Sequence, residues 1–178
     1  MTRAFVAVRL PDAVLDAVAR RTAGLTLPGR STTREQWHLT LQFLGDGADV
    51  DAVASALAGI DAPRGPVRFG GAGAFPAARR AQVVWLGLAA GAEVLARVAD
   101  AVGGRMAALG HERETRPFRP HLTLARLRKE ADVRAVIAAI GAEPVGPAWE
   151  VDAVTVFESL RGADGARYVE RATIALPE

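Results

Sequence analysis

Hydrophobic and polar positions follow two different periods along the chain, one typical of strands and one typical of helices. Apolar residues at a period of two, or in short runs, predict strands over 4–10, 37–44, 67–75, 83–88, 121–127, 151–157 and 168–176. Apolar positions three or four apart predict helices over 14–18, 50–60, 94–102 and 133–140. Pro76 is expected to end the third strand, Gly103-Gly104 to interrupt the third helix, and Gly141 to stop the fourth. The last two strands are predicted to form a hairpin across 161–165.

The order of these elements repeats. Each half is predicted to contain a strand, a helix, an irregular stretch, a strand that opens with His-Leu-Thr-Leu, a helix and a further strand. The irregular stretches are 24–34 and 110–119. This order predicts an internal duplication whose boundary lies near 76–80, so that a single domain over 1–178 consists of lobes 1–78 and 79–178, with strand exchange between them as an open alternative.

Two of the three histidines begin identical tetrapeptides at His38 and His121. Because side chains alternate between the faces of a strand, each histidine shares a face with the threonine two residues later, Thr40 or Thr123. The leucines of each tetrapeptide then occupy the opposite, buried face. A pseudo-two-fold relation between the halves would direct both His/Thr pairs into one cleft.

These side chains suit the hydrolysis of a phosphodiester. An imidazole titrates near pH 6.5, so one histidine could act as a base while the other donates a proton. Threonine hydroxyls can bind the non-bridging phosphate oxygens, and this chemistry requires neither a metal nor a cofactor. A single copy would be typical of an ordinary half-buried strand, but two matched copies favour a catalytic function. His111 has no such motif around it and is interpreted as a loop residue.

The composition narrows the class of protein. Half of the residues are hydrophobic and 24% are charged, as in soluble globular proteins, and no apolar run is long enough to span a membrane. The absence of cysteine excludes disulfides and thiolate zinc sites, so a cytoplasmic protein is expected. All basic residues except Lys129 are arginine, which suits a phosphate-bearing ligand. A general bias towards arginine over lysine would give the same composition, which therefore permits nucleic acid without requiring it.

The chain resembles the 2H phosphoesterase superfamily, and within it the bacterial and archaeal RNA 2′,3′-cyclic phosphodiesterases, which are also labelled 2′-5′ RNA ligases. The segments that carry the resemblance occur in family order and span essentially the whole chain. They are Arg-Ala-Phe-Val-Ala-Val at 3–8, Trp-His-Leu-Thr-Leu-Gln-Phe-Leu-Gly at 37–45, Val-Trp-Leu-Gly at 84–87 and Pro-Phe-Arg-Pro-His-Leu-Thr-Leu-Ala-Arg at 117–126.

The resemblance implies a bilobal α+β fold, in which two pseudo-two-fold-related lobes of antiparallel sheet with outer helices surround a central cleft. It implies that His38 is the proton donor to the departing ribose 3′ oxygen and that His121 is the proton acceptor for the attacking water. Thr40 and Thr123 match the threonines that bind the phosphate. From the residues alone, the two histidines remain interchangeable.

Three further residues are candidates for substrate binding. Arg126 follows Leu124 by two residues, so regular alternation would put it on the leucine face. A twist or bulge would instead turn it into the cleft, and otherwise it would lie on the rim. Phe5 and Phe118 are candidates for stacking on a base, with core packing as the alternative.

Two other functions remain open at this point. One is 2′-5′ RNA ligation, the same displacement run in reverse, and the other is a non-catalytic RNA- or nucleotide-binding module. The expected partners are RNA ends or nucleotides that carry a 2′,3′-cyclic phosphate, bound by a monomer. A tRNA fragment, an oligonucleotide, a cyclic nucleotide and a cyclised ADP-ribose phosphate all present this reacting group.

Overall fold

The computed structural model describes residues 3–162 and 165–178, so two residues of the predicted 161–165 turn, 163 and 164, lie outside the described part. Strands and helices alternate along it. The strands are β1 (Arg3–Val8), β2 (Arg30–Ser31), β3 (Leu39–Asp46), β4 (Gly65–Ala77), β5 (Arg80–Ala90), β6 (Leu122–Ala131), β7 (Pro144–Val151), β8 (Ala153–Gly162) and β9 (Gly165–Ala175). The α-helices are α1 (Asp12–Thr22), α2 (Val50–Leu57), α3 (Ala92–Ala108) and α4 (Arg134–Ile140).

The strands form two antiparallel sheets. The first sheet has the order β3-β1-β8-β9, and the second has the order β2-β6-β5-β4-β7. Strand β3, which follows His38, lies beside β1, the first strand of its half of the chain. Strand β6, which follows His121, likewise lies beside β5, the first strand of the second half. The two sheets therefore repeat one arrangement around the two motifs.

The sheets do not coincide with the two halves of the chain. Strand β4 comes from the first half but pairs with β5 and β7, whereas β8 comes from the second half and pairs with β1. The predicted boundary near residue 78 falls in the turn between β4 and β5, inside the second sheet. The first half also contributes β2 to the second sheet and the second half contributes β9 to the first, so the chain exchanges two strands in each direction and neither sheet is made by one half alone.

The core lies on the faces of the sheets opposite to the His/Thr pairs. The four motif leucines are each 7% exposed or less, as the alternation predicts: Leu39, Leu41, Leu122 and Leu124. They pack in one cluster with apolar residues of the helices, among them Val14, Val53, Val98 and Ile140. Burial of this apolar surface holds the helices outside the sheets and leaves the other face of each sheet for the site.

Strand β7 is absent from the sequence predictions. Prolines and glycines interrupt its pattern, and Gly146 adopts a φ of 71° that favours glycine. The strand nevertheless forms because it pairs only with β4, at the edge of the second sheet, where proline is tolerated. The predicted strand over 151–157 is consequently divided at Asp152, where the chain passes from the second sheet to the first.

Two predicted ends of elements are wrong. Helix α3 continues through Gly103-Gly104. The burial of residues on both sides of the pair, including Val102 and Met106, stabilises the helix by more than the glycines destabilise it, which is about 1 kcal/mol per residue. Pro76 lies inside β4 instead of ending it. Its missing N–H removes no bond to β7, since β7 pairs with β4 only as far as Gly70. Among the described helices, none is long and apolar enough to cross a membrane.

Candidate active site

The two motif strands share the same irregularity. Thr40 lies opposite Ala7 and Gln42 lies opposite Val6, so Leu41 is an extra residue between them. In the second sheet, Thr123 lies opposite Trp85 and Ala125 opposite Val84, which makes Leu124 the extra residue. Both motifs therefore contain a β-bulge at their fourth residue, a feature that commonly re-aims side chains near active sites.

The bulge changes which side chains share a face. After it, the fifth residue beyond each histidine returns to the His/Thr side; these residues are Phe43 in β3 and Arg126 in β6. Both strands start with the same sequence of burial: buried, half-buried, buried, buried, exposed. Of the alternatives for Arg126, the register thus favours the bulge that turns its side chain toward the cleft.

Both imidazoles are held in the same tautomer. The Nδ1 atom of His38 lies 2.7 Å from the carbonyl oxygen of Gln36, and Nδ1 of His121 lies 2.7 Å from that of Arg119. A carbonyl only accepts, so Nδ1 carries the proton in both rings. In the neutral rings, Nε2 is then the basic atom, and that of His38 accepts from the Thr40 hydroxyl at 2.9 Å. Each Nε2 is thereby directed to act as the acid or base atom.

Aromatic rings from other strands of the same sheet support each imidazole. The ring of His38 lies 4.7 Å from that of Phe5 and 5.2 Å from that of Tyr168, which it meets edge-on. The ring of His121 lies 5.0 Å from that of Phe75, also edge-on, and 6.2 Å from that of Trp85. This packing fixes the orientation of both rings and partly removes them from water.

The support beneath His121 depends on a glycine. The indole of Trp85 lies flat across β4, where a Cβ added to Gly73 would come within 2.3 Å of it. No real side chain fits in that space. Gly73 is therefore needed so that Trp85 lies under His121.

The pKa values of the two motif histidines are both lowered, and the charge of Arg126 contributes to both shifts. Burial is the main cause that lowers the pKa of His38 to about 4, and the positive charges of Arg126 and His121 act in the same direction. Burial also lowers the pKa of His121, again with a contribution from Arg126. In the free protein at neutral pH both imidazoles are therefore uncharged. A bound anion would oppose the effect of Arg126 on both.

A first-half segment holds the second motif directly. Strand β2 pairs with β6, and the Thr32 hydroxyl that follows it donates to the carbonyl oxygen of Thr123 at 2.7 Å. The same hydroxyl accepts from the indole N–H of Trp37 at 3.0 Å. Trp37 immediately precedes His38, so this chain of hydrogen bonds joins the two motifs.

The remaining candidates have other surroundings. Phe5 is 3% exposed, and its ring lies against those of Phe157 and His38, so of the two alternatives its surroundings favour core packing over stacking on a base. Phe118 is half-buried and packs against the core. His111 lies in the loop after α3, as predicted, and none of its hydrogen bonds or ring contacts within the described residues reaches a motif.

Sequence reasoning missed the residues that surround the histidines. Tyr168, Phe75 and Phe157 come from distant strands and Thr32 from the loop after β2, whereas Trp85 and Phe5 lie in segments singled out for the resemblance. The alternation within β5 could have placed Trp85 on the side of the cleft, but its partner strand was not deducible. No group of three or more His, Cys, Asp or Glu side chains in the described residues is arranged to hold a metal ion.

Comparison with known proteins gives one consistent family. Residues 10–163 match the profile described as the 2′-5′ RNA ligase superfamily. The chain is 31% identical over 147 residues to the RNA 2′,3′-cyclic phosphodiesterase of Aeropyrum pernix, covering 80% of this chain and 83% of that protein. It is 34% identical over 133 residues to the Escherichia coli protein of the same name, covering 72% of this chain and 74% of that one.

Solved structures agree over nearly the entire chain. The crystal structure of E. coli LigT in apo form has a TM-score of 0.78 at 29% identity, covering 99% of this chain and 98% of that one. The structure of E. coli LigT complexed with 3′-AMP also has a TM-score of 0.78 at 29% identity, covering 99% of each chain. The predicted α+β fold is thereby confirmed.

Proposed function

The chain belongs to the 2′-5′ RNA ligase superfamily, and from that premise we propose that it hydrolyses the 2′,3′-cyclic phosphate of RNA ends or nucleotides to a 2′-phosphate. The observation that carries the proposal is the matched pair of histidines. Both rings have Nδ1 hydrogen-bonded to a backbone carbonyl, and the positive charge of His121 lowers the pKa of His38. Such a pair supplies a base and an acid to a single small anion.

The proposed reaction moves two protons. Nε2 of His121 takes a proton from water as the water oxygen bonds to phosphorus. The bond between phosphorus and the 3′ oxygen breaks, and protonated His38 gives its Nε2 proton to that oxygen. The phosphate remains on the 2′ oxygen, and the two histidines exchange protons with solvent to begin again.

Protonation of His38 also prepares Thr40. In the free protein the Thr40 hydroxyl donates to Nε2 of His38, and its proton is therefore occupied. Once Nε2 carries a proton it becomes the donor, and the hydroxyl proton of Thr40 is released for a phosphate oxygen. Thr123, half-buried opposite Trp85, is proposed to bind a phosphate oxygen from the second half. The charge on His38 and the phosphate thus stabilise each other.

Arg126 is proposed to bind the phosphate as well. It is exposed on β6, and its charge lowers the pKa of both histidines. A phosphate held at the guanidinium offsets that charge, which raises both pKa values in the complex. Substrate binding therefore brings His38 closer to the protonated form that an acid requires.

Both motifs come from one chain, so we propose that the protein acts as a monomer, and the cysteine-free composition favours a cytoplasmic setting. Ligation uses the same site with a ribose hydroxyl in place of water. Water at its bulk concentration favours hydrolysis, so we place ligation second.

The proposal is tested by single turnover of adenosine 2′,3′-cyclic phosphate in excess chelator. Wild-type protein should give 2′-AMP, and His38→Ala and His121→Ala should each lose activity by about 10²–10⁴-fold. His111→Ala is the matched control and should react like the wild type, because none of the hydrogen bonds or ring contacts of this histidine within the described residues reaches a motif. Turnover only after zinc or manganese is added, or binding without turnover, would overturn the proposed reaction.

A further inference from the structure

Two arginines lie side by side at the edge of the second sheet, where the short strand β2 pairs with β6. Arg30 is directly opposite Arg126 in this pairing, and both residues are exposed. Directly paired residues of adjacent antiparallel strands share a face, with Cβ atoms about 5 Å apart. Like charges in this arrangement destabilise the pairing of the strands. An anion bound beside the two guanidiniums would remove that repulsion.

The described residues supply no acidic partner for either arginine. Within 3–162 and 165–178, neither side chain is part of an ion pair. Arg34, only four residues after Arg30, differs in this respect, because its guanidinium pairs with Asp12 and Asp16. The positive charges of Arg30 and Arg126 are therefore left, among these residues, for an anionic ligand.

Two glycines determine where the Arg30 side chain lies. Gly29 has a φ of 78°, and a Cβ at this position would overlap the carbonyl oxygen of Arg126, so only glycine lets the segment approach β6 so closely. The Arg30 guanidinium lies against Gly165 at the start of β9, in the first sheet, where a Cβ would overlap it as well. Tyr168, which contacts His38, follows three residues later on β9. The guanidinium of Arg30 thus extends from the second sheet to the first, at the rim of the site.

The two arginines are at different distances from the reacting group. After burial, the charge of Arg126 contributes to the lowered pKa of both His38 and His121, whereas the charge of Arg30 contributes to neither. Because the interaction between two charges weakens with their separation, Arg30 is farther from both imidazoles. A phosphate between the histidines would meet Arg126 first, and Arg30 would face a second anionic group farther out.

We propose that Arg30 binds a second phosphate of the substrate, the phosphodiester on the 5′ oxygen of the terminal ribose, and so favours an RNA end over a free cyclic nucleotide. The inference rests on the proposed function and adds a residue that distinguishes between its possible substrates. A guanidinium can donate two parallel hydrogen bonds to the oxygens of one phosphate. A mononucleotide without a 5′ phosphate cannot form this contact.

The test compares three substrates that differ at the 5′ oxygen. They are adenosine 2′,3′-cyclic phosphate, the dinucleotide ApA with a 2′,3′-cyclic phosphate, and the same dinucleotide with an uncharged methylphosphonate linkage. Arg30→Gln should raise KM for the charged dinucleotide by about tenfold, as expected for one hydrogen bond between charged groups, without changing kcat. The other two substrates should react as with the wild type, which also shows that the variant is folded.

Arg97→Gln is the matched control. It removes the same charge from an exposed residue of α3, in the helices outside the sheets, and should match the wild type with all three substrates. An equal rise in KM for the mononucleotide or for the uncharged dinucleotide, or the same rise in Arg97→Gln, would overturn the inference.

Binding separates this inference from the proposed function. The Kd values of 2′-AMP and of ApA with a 2′-phosphate are measured by calorimetry at several salt concentrations, which requires no turnover. For the dinucleotide, the slope of log Kd against log salt should be smaller by about 0.7 in Arg30→Gln, because one phosphate contact to a single strand is lost. Weaker binding of the dinucleotide alone supports the second phosphate site even if the wild type hydrolyses neither substrate, and only the proposed reaction then fails. Equal losses with both ligands, or no loss with either, would overturn the inference.

Discussion

The hydroxyl of Thr32 donates to the backbone carbonyl of Thr123 at 2.7 Å, and so ties the segment that leads into the first motif to the strand of the second. The same hydroxyl accepts from the indole of Trp37, the neighbour of His38. This side chain therefore adds to the backbone pairing of β2 with β6 in fixing the relative position of the two motifs.

Thr32→Val should lower kcat and destabilise the protein by about 1–3 kcal/mol, because the indole N–H of Trp37 and the carbonyl of Thr123 lose a partner. Urea unfolding and steady-state assays measure the two effects. Thr32→Ser keeps the hydroxyl and is the matched control, which should retain both stability and kcat. Equal loss in the serine variant would show that the methyl group, and not the hydrogen bonds, matters.

The pH dependence of catalysis should respond to Arg126. Its positive charge lowers the pKa of both histidines, so Arg126→Gln should raise both. Both limbs of the bell-shaped kcat/KM profile, which reports the free enzyme, should then move to higher pH. Arg128→Gln removes the same charge two residues further along β6, from a residue that has no resolved influence on either histidine. A profile that moves in the Arg128 variant as well would indicate a general effect of net charge.

The sequence predicts most of the strands and the paired motifs, because alternation and helical spacing depend on nearby residues. It does not predict the bulges at Leu41 and Leu124, which exist only as a register between strands. Strict alternation therefore assigns Arg126 to the leucine face, whereas the paired strands place it beyond the bulge on the other side. The contact between Phe5 and His38 is not predictable from nearby residues either. A helix and a loop separate the two residues along the chain, and only the pairing of β1 with β3 brings their rings together.

The stability of the protein should fall in mild acid. The pKa of His38 is about 4 in the folded chain and 6.5 in the unfolded one, so below pH 6.5 the unfolded chain binds a proton that the folded chain does not. The resulting contribution is complete above pH 6.5 and is lost as the pH falls to 4, on the order of 3 kcal/mol. Urea titrations across this range should show a smaller loss for His38→Gln than for the wild type.

The control for this prediction is His111→Gln, which removes a loop histidine and should leave the loss at its wild-type size. Added phosphate should protect the wild type below pH 6.5, because an anion in the cleft favours the charged imidazole. An identical dependence on pH in His38→Gln and the wild type would contradict the burial of this ring.

The central claim is that His38 donates a proton to the departing 3′ oxygen while His121 activates water. It is tested most directly by the kcat of each histidine variant on adenosine 2′,3′-cyclic phosphate and on its 3′-thio analogue. A thiolate leaves readily without a proton, since a thiol has a pKa of about 8.5. The account predicts that the analogue restores much of the activity of His38→Ala and none of that of His121→Ala, and that the phosphate remains on the 2′ oxygen. Restored activity in His121→Ala instead, or a product that carries its phosphate on the 3′ position, would contradict it.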